Sequence, residues 1–78
     1  MGKESTASAD SASRHYARAS NRVAEVEVLL ARQKGKIVSL RQLGFSTEAD
    51  TARSALVKME YLLQLCIEDR DRAFELVH

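Results

Sequence analysis

The sequence predicts an all-α protein: an antiparallel two-helix hairpin of coiled-coil character that pairs with a second copy to form a four-helix bundle. Three observations carry this. Mostly apolar residues recur at three-four spacing in two stretches. The first is Tyr16, Ala19, Val23, Val26, Leu30, Gln33, Ile37, Leu40, and the second is Ala49, Ala52, Leu56, Met59, Leu63, Cys66, Arg70, Ala73, Val77. That repeat keeps one helical face against a partner. One turn signal, Leu43-Gly44-Phe45-Ser46-Thr47, separates the stretches. The 78 residues include no proline, and beyond the first dozen the good helix formers Ala, Leu, Glu, Arg and Lys dominate.

Residues 1–12 are rich in Ser, Ala, Thr and Asp and have almost nothing large to bury. They predict a disordered N-terminal tail, and residues 13–78 the hairpin. Asp10, Ser11 or Ser13 supplies a cap for the first helix, expected over about 14–43, because a short side-chain oxygen accepts an orphan backbone N–H. Gly35 falls inside that helix but off the seam, where it costs about 1 kcal/mol relative to alanine. Gly44 follows the last turn and reads as the left-handed residue that closes a helix, with Phe45 folding back behind it. The turn is expected at 44–46. Ser46 or Thr47 then caps a second helix over about 47–77, with Glu48 and Asp50 near the positive end of its dipole.

Folding the two stripes together predicts a register. Leu40 faces Ala52, Gln33 faces Met59, Val26 faces Cys66 and Tyr16 faces Val77, each pair of residue numbers summing to about 92 or 93. The polar seam residues Gln33 and Arg70 read as register-setting devices, Arg70 reaching Glu25 or Glu27. Cys66, the single cysteine, falls on the seam between apolar neighbours and reads as a buried reduced thiol.

One seam of small and polar residues is a thin core for two long helices. Apolar residues also lie outside it. Leu29 and Leu43 flank the first stripe, and the stretch from Ala55 to Ile67 is apolar around most of its circumference, against the single stripe of a surface helix. Such residues need a cover. The interface is expected at Val57, Tyr61, Leu62, Leu65 and Phe74, and the partner is a second copy or another helical protein.

Composition narrows the function classes. Twelve basic and eleven acidic residues are interspersed, for a formal charge of +1, so no global pull toward nucleic acid or an anionic membrane is expected. No apolar run approaches the length of a membrane span. The N-terminal residues lack the apolar core of a secretory signal, and a cytoplasmic location is expected. No nucleophile triad, phosphate-binding glycine loop or nucleotide fingerprint is present. His15 and His78 meet at the open end of the hairpin, too few ligands for a metal centre, and they read as solvated ends. Glu68 and Arg72 read as an ion pair four residues apart. The expectation is a non-enzymatic interaction module with no cofactor and no small-molecule substrate. The alternative is RNA or DNA binding through Arg14, Arg18 and Arg22, which share one helical face. Plasmid copy-number regulators of the Rop type, which it resembles in shape alone, are dimeric helical hairpins that bind paired RNA loops.

The stretch Leu29-Leu30-Ala31-Arg32-Gln33-Lys34, Ile37-Val38-Ser39-Leu40, Gly44, then Ala52, Leu56, Met59-Glu60, Leu63 and Asp69-Arg70-Asp71-Arg72 resembles a group of short uncharacterised proteins of rhizobia and related alphaproteobacteria. Their pattern is a Gln-bearing helix, a Gly-centred turn and a second helix ending in alternating arginine and acid. The likeness covers residues 15–76. It departs where the connection is a few residues longer than usual and where Phe45 replaces a common histidine. It implies a bacterial cytoplasmic origin and a helical hairpin, and no mechanism.

Overall fold

The computed structural model describes the backbone of residues 2–77 and the side chains of residues 11–77. Two α-helices make up the fold, α1 over Gly2–Gln42 and α2 over Ser46–Val77, and no strand occurs among the described residues. They fold back on each other as a rod of 65 × 14 × 14 Å. Helix α1 begins at Gly2 rather than near Arg14. Its early residues carry no proline, and the helix propagates N-terminally through them although Ser, Thr and Asp are weak helix formers. At 41 residues against 32 for α2, its first turns extend past the end of the shorter helix. His78 and the side chain of Asp10 lie outside the described residues.

The reversal occupies Leu43, Gly44 and Phe45, one residue earlier than the turn expected at 44–46. Gly44 has φ +81°, the left-handed conformation that glycine adopts without a Cβ penalty. Its N–H donates to the Arg41 carbonyl at 3.1 Å, and the Phe45 N–H donates to the Leu40 carbonyl at 2.9 Å. Together these form a Schellman closure, which satisfies carbonyls that the helix end leaves open. The Phe45 carbonyl then accepts from the Ala49 N–H at 2.9 Å. Phe45 therefore ends one helix and stands at the cap position of the next, and Ser46 and Thr47 are already helical. Glu48 lies in the first turn of α2 and Arg41 in the last turn of α1, each with the favourable sign for the helix dipole.

The core is the seam. Ala19, Val23, Val26, Leu30 and Ile37 of α1 are buried, and so are Ala49, Ala52, Cys66 and Ala73 of α2. All nine belong to the two predicted stripes. Val23, Val26, Leu30 and Cys66 cluster centrally with Leu56, Met59, Leu63 and Ile67 packed around them. Cys66 is a free, buried thiol. The α2 side of the core is built from three alanines and a cysteine, so the backbones approach closely but little apolar volume is enclosed. Among the described residues no large side chain is fully buried.

The pairing differs from the expected register. Gln33 was expected opposite Met59, and its Nε2 instead donates to the Ala52 carbonyl at 2.8 Å. The Tyr16 ring packs on Phe74, with centroids 5.8 Å apart, rather than on Val77. A turn centred on Gly44 makes facing residue numbers sum to about 88, so α2 sits about one turn along from the predicted alignment. Stripes of equal period fit each other at several offsets, and the tight turn selects among them. Two local pairings change as well. Arg70 turns to its neighbour Asp71, at 3.3 Å, and not across to Glu25 or Glu27. Glu68 accepts a hydrogen bond from Gln64 at 3.5 Å, where a pair with Arg72 was expected.

Candidate interaction surface

Two rows of residues at seven-residue spacing flank the seam on one face of the rod. Along α1 the row is His15, Arg22, Leu29, Lys36 and Leu43. Along α2 it is Glu48, Ala55, Leu62, Asp69 and Leu76. Seven residues are two turns of a coiled coil, so each row stays on one side of its helix. The grooves between the helices show that the rows share a face. A groove of about 220 Å³ is lined by His15, Arg18, Ala19, Arg22 and Asp69. A second, of about 620 Å³, brings Lys36 and Leu40 together with Glu48, Thr51 and Ala55. A third joins His15 and Arg18 to Leu76.

Read from the open end to the turn, the α1 row starts at His15 and continues with basic or apolar residues, and the α2 row is acidic or apolar. At the alignment set by the turn, Asp69 falls between the levels of His15 and Arg22, Leu62 lies within about one turn of Leu29, and Lys36 falls between Ala55 and Glu48. At the open end His15 Nε2 lies 3.5 Å from Asp69 Oδ1, with both side chains about half exposed. Such a pair contributes at most about 1 kcal/mol. In the middle, Leu29 and Leu62 are 45% and 46% exposed, a great deal for leucines flanking a core.

The five interface residues expected on α2 are all exposed, but they do not form one patch. Val57, Tyr61 and Leu65 follow each other at four-residue spacing along the outer side of α2, with Tyr61 68% exposed. Leu62 adjoins Leu65 and belongs to the row on the shared face. Phe74 is set apart, its ring against Tyr16. Of the basic residues, Arg14, Arg18 and Arg22 are all exposed on α1. Arg18 and Arg22 share their groove with the carboxylate of Asp69, so the basic face is interrupted where it is best organised. Sequence reasoning placed Leu29 and Ala55 beside the seam but missed the opposition of Arg22 and Asp69. The seven-residue spacing of each row was visible; which member faces which required the register.

No group of three or more His, Cys, Asp and Glu side chains is arranged to hold a metal ion among the described residues. No helix among them is long and apolar enough to cross a membrane.

Fold and surface together define a two-helix hairpin with a thin core and an uncovered, charge-segregated face. Comparison with family models, with curated proteins and with solved structures finds no match to this chain.

Proposed function

We propose that this chain is a non-enzymatic interaction module whose working form is a homodimer, two hairpins burying their exposed apolar side chains against each other. The observation that carries this is apolar surface left open beside a thin core: Leu29 and Leu62, which flank the seam, are 45% and 46% exposed, and Leu65 next to Leu62 is exposed as well. The buried, unpaired Cys66 supports a reducing compartment, the cytoplasm.

Sedimentation velocity and equilibrium of the full chain test the reading. A species of twice the chain mass at micromolar concentration is expected. Leu62→Ser with Leu65→Ser should raise the dissociation constant at least tenfold while circular dichroism stays helical. A folded monomer at high micromolar concentration ends the proposal.

The competing reading is RNA or DNA binding through Arg14, Arg18 and Arg22, supported by the groove that gathers Arg18 and Arg22 with His15. Asp69 in the same groove weakens its field. Electrophoretic shift at low salt decides: retardation that falls steeply with added salt supports it, and no retardation removes it.

A further inference from the structure

Resting on the self-association reading, we infer how the second copy docks: the two hairpins pair face to face through the Arg22–Leu29–Lys36 and Ala55–Leu62–Asp69 rows, with both turns at the same end of the four-helix bundle.

Two symmetric arrangements bury this face. With the two-fold axis across the rods at the level of Leu29, the ends are reversed and α1 lies on α1. Arg22 and Lys36 lie seven residues either side of Leu29, so this arrangement sets Arg22 of each copy against Lys36 of the other. The dimer then holds two like-charge contacts, and Asp69 meets Ala55. With the axis along the rods, levels are kept and α1 lies on α2 of the other copy. Arg22 then meets Asp69, Leu29 meets Leu62, and Lys36 meets Ala55 within reach of Glu48. Arg22 and Lys36 thus find Asp69 and Glu48 as opposite partners, and the four central leucines form one apolar layer. Neighbouring helices at 8–10 Å let these long side chains meet. Flanking charges of this kind set partner orientation more than affinity. Inside one copy Asp69 lies 3.5 Å from His15 and lines one groove with Arg22, and Glu48 lines another with Lys36, so each carboxylate shares its groove with the kind of base that the second copy offers.

The row on α2 also explains why the face is not symmetric in charge. If α1 and α2 carried the same sign, both arrangements would cost alike. Here basic residues lie on one helix and acidic residues on the other, which penalises only the reversed dimer.

The test is a distance at the turn. A nitroxide is placed by Gln42→Cys, an exposed position in the last turn of α1, in a Cys66→Ala background, and pulsed dipolar spectroscopy is run on the dimer. The same-end bundle predicts a separation within about 30 Å. The reversed bundle predicts about 40 Å or more, because Gln42 lies 13 residues from Leu29 at 1.5 Å each. Lys36→Glu, measured by sedimentation without any label, gives an independent answer of opposite sign. The same-end bundle predicts association weakened about fivefold, since each exposed contact occurs twice, and the reversed bundle predicts it strengthened by pairing with Arg22. A short distance and weakened association support the inference. A long distance or tighter association in a confirmed dimer overturns the docking while leaving self-association standing. A wild-type monomer in sedimentation overturns both.

Discussion

Replacing Gln33 with leucine separates two ways of holding the hairpin in register. Gln33 is half-buried and makes a cross-helix hydrogen bond at 2.8 Å to the Ala52 carbonyl. That carbonyl lies inside α2 and keeps its own helical donor when Gln33 is removed. No acceptor is orphaned, so the loss is the net value of one bond, about 1 kcal/mol. A half-buried leucine returns about 1 kcal/mol of apolar burial. The two effects cancel, and stability should change by less than about 1 kcal/mol, a melting shift within about 8 °C for a domain of this size. If the turn sets the pairing, the Tyr16–Phe74 ring contact survives. Thermal denaturation by circular dichroism at fixed protein concentration reads the first effect. Nuclear Overhauser contacts between the two rings read the second. A loss above about 2 kcal/mol, well beyond the usual net value of one hydrogen bond, or the disappearance of the ring contact would show that Gln33 and not the turn holds the alignment.

Further outcomes follow from the same geometry. Leu30→Ala, at a buried position in the central cluster, should cost about 2–4 kcal/mol in urea denaturation. Leu63→Ala, only half-buried, should cost clearly less. Equal losses would mean that Leu63 is more deeply packed than this fold places it. Gly35 and Gly44 should respond with opposite signs, since a Cβ at either would meet nothing within 4 Å and backbone conformation alone decides. Gly35→Ala should stabilise by about 1 kcal/mol through helix propensity. Gly44→Ala, at φ +81°, should destabilise by about 1–2 kcal/mol through backbone strain alone. A thermal melt of each variant checks both signs.

The helices and their buried faces were legible in the sequence because period carries that information locally. Every buried residue among those described, from Ala19 to Ala73, sits at three-four spacing from its neighbours on the stripe. The register was not legible in the same way. Tyr16 meeting Phe74 instead of Val77 is a shift that two repeating stripes tolerate, and only the closure by Gly44 and Phe45 decides it. The cap was missed for a related reason. Ser46 and Thr47 have capping chemistry, but the position went to Phe45, whose backbone carbonyl does the work while its ring contributes no polar atom. Arg70 paired with Asp71 because a neighbouring carboxylate was nearer than any on the other helix. On the candidate face, the rows through Leu29 and Leu62 were readable one helix at a time, and the charge opposition of Arg22 and Asp69 emerged only once the two helices were aligned.

Phe45 belongs to the end of one helix and the beginning of the next, so the chain reverses with no slack. One residue inserted after Gly44 would have nowhere to be absorbed. It would swing α2 by about 100° about its own axis, carrying Glu48, Leu62 and Asp69 away from the side they share with Arg22 and Leu29. Length at that corner is therefore under tighter constraint than side-chain identity along most of the rod's exterior.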